Sequence, residues 1–140
     1  MTTTRRAHTQ WNGSLIDGRG QVTLDSSGVG QFDVSWPARS EEPNGVTSPE
    51  ELIAAAHASC FCMALANGLT QAGNPPTSLR ADVEVDFQPG TGITGIRITV
   101  SGDVPELRAE GFADAAENAK QNCPVIQALS AVPIEFTVQA

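Results

Sequence analysis

Cysteine supplies the reactive candidates in this chain. Cys60, Cys62 and Cys123 are its three thiols, and a thiol can act as a thiolate nucleophile, as half of a disulfide or as a metal ligand. Two of them fall in the stretch SPEELIAAAHASCFCMALANGLTQAG, residues 48–73, which reads as one helix. Successive helical residues turn by about 100°, so Cys60 and Cys62 point about 200° apart and share neither a metal nor a disulfide while the helix holds. His57 lies about 60° from Cys60 and within one turn, Glu50 about 80° away and Glu51 about 180° away. Glu51 is therefore read as a helix cap, and Glu50 as the acid on the side where Cys60 points.

A cysteine reacts as its thiolate, and apolar surroundings disfavour that charge. The helix N-terminus gives little help, because Cys60 lies roughly 16 Å along the axis from it and the dipole acts within the first turn. A reactive Cys60 needs a nearby cation. Arg39 stands in the polar stretch from Pro37 to Thr47, a predicted surface loop that feeds the helix, and is the candidate.

The helix that must hold these groups is well marked. Ser48 is a natural N-cap, Pro49 suits the first helical position, and Glu51 completes a Ser-x-x-Glu capping box. Gly73 can take the left-handed conformation just past the end, and Asn74-Pro75-Pro76 forbids continuation. Nearly every residue from Leu52 to Leu65 is apolar, and a helix with no polar face is buried on all sides. His57, Ser59, Cys60 and Cys62 are accordingly expected inside the protein. The apolar run suits a core helix better than a bilayer span of about 20 residues.

Around the helix the sequence predicts strands. Residues 10–15, 20–25 and 31–36 are short runs separated by Gly-rich and Ser-rich turns, a β-meander signal. Residues 81–87 alternate strictly, with Asp82, Glu84 and Asp86 on a wet face. Pro89-Gly90-Thr91-Gly92 then turns the chain into a second alternating strand, residues 96–100. Pro105 to Gln121 reads as a helix, Pro124 is placed to begin a short one with Cys123 at its N-terminal edge, and Val132 to Val138 closes as a strand. The pattern is α+β in a single domain, residues 1–140.

Composition narrows the function. Eight basic residues against sixteen acidic ones give a net charge of −8, the wrong sign for a nucleic-acid binder. The first ten residues lack an apolar signal core, so the expectation is a cytoplasmic protein without a membrane anchor, in which cysteines are reduced, catalytic or redox-sensing. The scarcity of aromatics, 5% of the chain, points to an oligomer.

PEELIAAAHASCFCMAL together with AKQNCPVIQAL resembles the two signature blocks of the osmotically inducible protein C and organic hydroperoxide resistance (OsmC/Ohr) family, and the order of elements matches over essentially the whole chain. The His-Ala-x-Cys-Phe segment is more similar to the OsmC branch. The resemblance implies an OsmC-like fold, with antiparallel sheets packed on a long buried central helix in an intertwined homodimer. It also implies a cofactor-free, metal-free, cysteine-based peroxidase acting on organic hydroperoxides. Cys60 takes the peroxidatic place, Cys123 the resolving place, Arg39 that of the arginine holding thiolate and peroxide, and Glu50 that of the acid orienting it. A dithiol reductant, in one branch a lipoylated protein, would reopen the Cys60–Cys123 disulfide. Cys62 departs from the usual small residue at its position, and Ile126 from a common Ser. His57 is expected to be a hydrogen-bonded helix residue near the site, and Trp11 and Trp36 packing residues on strands.

Two other readings compete. A Cys60–His57 hydrolase lacks a strand-turn-helix elbow and an oxyanion loop. A metal- or small-ligand-binding module built on His57, Cys60 and Cys123 would need a fourth ligand from His8 or an acid.

Overall fold

In the computed structural model, which describes residues 1–139, the elements run β1 (His8–Asn12), β2 (Arg19–Thr23), β3 (Gln31–Val34), α1 (Trp36–Ser40), α2 (Pro49–Gln71), β4 (Ser78–Gln88), β5 (Gly92–Asp103), α3 (Ala109–Asn122), α4 (Pro124–Ala128) and β6 (Ile134–Val138). The α+β class holds. The chain divides into two compact units, residues 1–52 and the residues from Ile53 onward.

In the first unit β1, β2 and β3 form an antiparallel meander in that order, with Gln10 opposite Gln21 and Gln21 opposite Asp33. Gly20 lies opposite Trp11, and a β-carbon there would stand 2.6 Å from the indole ring and 2.8 Å from Val34, so only glycine lets the tryptophan lie across β2. The stretch after β3 differs from the sequence reading in one respect: Trp36–Ser40 is a helical turn rather than the end of a strand and the start of a loop. Ser35 caps it by accepting the Ala38 N–H at 3.2 Å, and Pro37 sits in its first turn, a combination that favours a helix start. The Thr47 N–H bonds the Asp33 carbonyl at 3.2 Å, which ties the end of the loop to β3 just before α2 begins.

The ends of α2 follow the sequence. The Glu51 N–H bonds the Ser48 hydroxyl at 3.2 Å, while the Glu51 carboxylate takes the Thr47 hydroxyl, so the predicted capping box is made in one direction. Gly73 has φ +86°, the Asn74 N–H reaches the Leu69 carbonyl at 2.8 Å and the Gly73 N–H reaches Thr70 at 3.1 Å. That pair of bonds is a Schellman closure.

In the second unit one side of α2 is buried through Phe61, Leu65 and Leu69, in a core shared with Ile96, Ile98 and Val100 of β5 and with Phe112, Ala116 and Ala119 of α3. Phe61 meets Phe136 edge to face at 5.3 Å. β4 and β5 form the predicted antiparallel hairpin, with Val83 opposite Ile98. β6 lies parallel to β5, Phe136 opposite Ile98, so this sheet is mixed; α3 and α4 carry the chain across between the two strands, as a parallel pairing requires. The predicted start of α3 at Pro105 moves to Ala109, because Glu106 sits at φ +64°, a left-handed value no helix accommodates.

The expectation that α2 is buried on all sides is corrected. Ala55, Ala56 and Ser59 are exposed and Met63 is 71% exposed. These four positions share one stripe of the helix, opposite the side that carries the core residues. Ser59, expected inside, turns its hydroxyl back onto the Ala55 and Ala56 carbonyls. At 23 residues α2 is long and apolar enough to cross a membrane by length and composition, although the Phe61–Leu65–Leu69 side is already occupied by the protein's own core.

Candidate active site

Cys123 occupies the junction where α3 ends and α4 begins, because Pro124 cannot continue α3 but is suited to start a new helix. Its side chain is fully buried in the core, and Cys60, half-buried, packs against it from α2. The two sulfurs are 3.4 Å apart, with the Cys123 thiol donating to the Cys60 sulfur. Burial pushes the Cys123 thiol above its ordinary value, and its hydrogen bond to Cys60 adds to this. The Ile126 and Val125 backbone N–H groups pull the other way without closing a capping bond. Burial thus disfavours the thiolate at Cys123, and Cys60 is the more accessible of the two.

Cys62 faces elsewhere, as the helical period requires. It lies half-buried toward the Ala81 backbone of β4, and burial raises its thiol. His57 is 0% exposed, and both ring nitrogens lack a hydrogen-bond partner among the described residues. This corrects the expectation of a hydrogen-bonded histidine. Desolvation lowers its basicity, keeping the ring neutral.

In the first unit Arg39, in the last turn of α1, grips Glu50 in the first turn of α2. Its Nε donates to both carboxylate oxygens at 3.0 and 3.1 Å, and Nη2 donates to one of them at 2.9 Å. Glu50 is 6% exposed, so this is a charge-assisted fork closed around a buried acid. The sequence analysis singled out both residues, and the resemblance implied that Glu50 orients Arg39; the contact between them is what the structure adds. Beside Arg39 opens a cavity of about 350 Å³ walled by Trp11, Leu15, Trp36 and Leu52. Trp11 and Trp36 thus line a cavity as well as pack, and Trp36 does so from α1 rather than from a strand. The only signal for this in the sequence was two tryptophans in an aromatic-poor chain.

Of the four predicted site residues, the structure joins Cys60 with Cys123 and Arg39 with Glu50, one pair in each unit. Among the described residues no group of three His, Cys, Asp or Glu side chains gathers as a metal site, so the metal-module reading finds no ligand set.

Residues 42–138 match the OsmC family, described as OsmC-like protein. Peroxiredoxin OsmC of Escherichia coli (strain K12) is 40% identical over 134 residues, spanning 94% of this chain and 93% of that protein, and its Shigella flexneri counterpart is similar to the same extent. The fold is also that of an organic hydroperoxide resistance protein OsmC from Legionella pneumophila, with a TM-score of 0.77 at 21% identity over 100% of this chain and 99% of that one. OhrB of Bacillus subtilis superposes with a TM-score of 0.71 at 23% identity, over 96% and 98% of the two chains. A signature block at each cysteine, an α+β fold shared along the whole chain and a family match over residues 42–138 agree that this chain belongs to the OsmC family.

Proposed function

We propose that this protein is a cysteine-based peroxidase that reduces organic hydroperoxides to alcohols. The observation that carries the reading is the 3.4 Å approach of the Cys60 and Cys123 sulfurs. A relative 40% identical over nearly its full length is named a peroxiredoxin, and similarly folded proteins are named for organic hydroperoxide resistance. Both support a peroxidase-type redox role.

The Cys60 thiolate attacks the terminal oxygen of the hydroperoxide. The O–O bond breaks, the alkoxide leaves and takes up a proton as the alcohol, and Cys60 becomes a sulfenic acid. Arg39 stabilises the charge on sulfur and departing oxygen, and Glu50 fixes the plane of the guanidinium. The Cys123 thiol then attacks the sulfenic sulfur, expelling water and closing a disulfide. A dithiol, a lipoylated protein being one form, reopens it by exchange. No cofactor or metal enters these steps. The apolar walls of the cavity beside Arg39 favour an alkyl or aryl hydroperoxide over hydrogen peroxide.

The working form is a homodimer in the cytoplasm. The exposed stripe Ala55, Ala56, Ser59 and Met63 on a helix otherwise apolar supports a second copy covering it.

The test is a free-thiol and intact-mass measurement before and after one equivalent of tert-butyl hydroperoxide. The native chain is expected to lose two thiols, Cys123→Ser to retain a trappable sulfenic acid at Cys60, and Cys60→Ser to stay inert. Equal loss from Cys60→Ser, or faster reaction with hydrogen peroxide than with the alkyl substrate, would overturn the reading.

A further inference from the structure

Among the described residues the buried polar or charged side chains are Ser35, Glu50 and His57. Ser35 accepts the Ala38 N–H, and Glu50 is held by Arg39. His57, 0% exposed, keeps both ring nitrogens without a partner among the described residues. An orphaned buried donor and acceptor cost stability, and such a group calls for a reason. The oxidative steps given above leave His57 unused.

One turn away from His57 on α2 stand Ile53, Ala54, Cys60 and Phe61. Three of these are apolar and stay so. Cys60 is the neighbour whose hydrogen-bonding capacity changes, because oxidation puts an oxygen on its sulfur. Residues three apart on a helix hold their β-carbons about 5–6 Å apart, and the Cys60 side chain leans back over the turn that carries His57. In the reduced chain the Cys60 sulfur takes the Cys123 thiol and leaves the imidazole unbonded. The added oxygen lengthens the Cys60 side chain by one bond. We propose that His57 is the seat of that oxygen: a ring N–H donates to the Cys60 sulfenic oxygen and holds it as it departs during disulfide closure.

This inference rests on the sulfenic acid of the proposed function, and the step balances. The Cys123 sulfur bonds to the Cys60 sulfur while the S–O bond breaks, its electron pair going to oxygen. The hydroxide so formed takes the Cys123 thiol proton and leaves as water. The Cys60 sulfur is reduced by one electron and the Cys123 sulfur oxidised by one, with no outside oxidant. His57 begins and ends neutral. Desolvation keeps the ring in that form, with one N–H to donate. A fixed donor in dry surroundings stabilises the charge that gathers on the departing oxygen.

The test times two events in the full chain after one equivalent of tert-butyl hydroperoxide. These are dimedone-trappable sulfenic acid at Cys60 and closure of the disulfide, both read by intact mass. His57→Leu is expected to slow closure by about 10²-fold relative to sulfenic acid formation, so that the trapped adduct accumulates. His57→Gln, which keeps an N–H donor, should recover part of the loss. Diamide joins the same thiols without a sulfenic oxygen, and there His57→Leu should close within a few-fold of the native chain. Closure in His57→Leu as fast as in the native chain would overturn the proposal, as would an equal slowing with diamide, which is what a merely structural role produces. A second measurement needs no change at residue 57. In Cys123→Ser labelled with ¹⁵N-histidine, oxidation of Cys60 should shift a ring nitrogen of His57 and leave His8, which pairs with Asp25, where it was. An unmoved His57 signal would also overturn the seat. Should the alkyl hydroperoxide leave Cys60 a thiol, the peroxidase reading falls by itself; excess hydrogen peroxide then supplies the sulfenic acid, and the same comparisons decide the role of His57.

Discussion

Arg39 holds Glu50 through three donor–acceptor contacts of 2.9 to 3.1 Å, two of them from a single nitrogen. A buried carboxylate gripped in this way fixes the plane of the guanidinium. Lysine can restore the charge but not the fork. Arg39→Gln is expected to lower kcat/KM for an alkyl hydroperoxide by about 10²- to 10³-fold, the scale of losing one oriented donor at a developing charge. Arg39→Lys should recover part of that loss, and steady-state kinetics of the two variants check it. Equal rates for lysine and arginine would remove the argument from orientation. Glu50→Gln, a change in a positioning residue, should cost less in rate than Arg39→Gln.

Cys62 is expected to be a bystander. It faces Ala81 of β4 and burial raises its thiol, which disfavours the thiolate that peroxide needs. Cys62→Ser should keep the native turnover, and mass mapping after peroxide should find Cys62 unmodified in the native chain. A disulfide linking Cys62 to either of the other cysteines would contradict its direction in the structure.

His57 gives a pH prediction. Burial lowers its folded-state pKa below the ordinary value of 6.5, so the unfolded chain takes up the proton first as pH falls. The neutral ring's full contribution is present above about pH 6.5. Stability falls as pH drops below that value toward the lowered one, with a slope limited to about 1.4 kcal/mol per pH unit for one proton. Urea unfolding at pH 7.5 and pH 5.5 reads this loss, and His57→Leu should flatten it. Removing two unpartnered buried nitrogens should also raise stability at neutral pH, by an amount on the order of 1–3 kcal/mol. An unchanged slope in His57→Leu would assign the pH dependence to other groups.

Gly73→Ala should destabilise the protein by about 1–2 kcal/mol, the strain of a left-handed alanine, since Gly73 closes α2 at φ +86°. Thermal unfolding measures it. Gly68→Ala, in a helical conformation with open space around it, serves as the control and should stabilise slightly.

Met63→Asp places a charge on the exposed stripe of α2 and is expected to give monomers in sedimentation. If this chain stays dimeric with the charge in place, the stripe is not the contact.

How much of this could be read before the fold was seen depends on how local the signal is. The ends of α2 were readable because Ser48, Pro49 and Gly73 act on their own neighbours, and the β4–β5 hairpin because its alternation and its Gly-rich turn agree. The opposed directions of Cys60 and Cys62 followed from helical geometry alone. The α1 turn was missed because Ser35 and Pro37 look alike in a loop and in a cap. The late start of α3 depends on one backbone angle at Glu106 that no side chain announces. Parallel pairing of β6 with β5 is set by the crossover between them rather than by either strand. For His57, the type and position gave no warning that its ring would lack partners, since partners are a property of packing.

The distance between the Cys60 and Cys123 sulfurs sets the size of the redox stroke. A disulfide holds its sulfurs about 2 Å apart, so from 3.4 Å each sulfur need travel well under an ångström. Rotation of two side chains can cover that travel, leaving α2 and the α3–α4 corner where they stand. Oxidised and reduced forms should then share one backbone, so the protein could cycle without partly unfolding and without offering a shape change for a partner to sense.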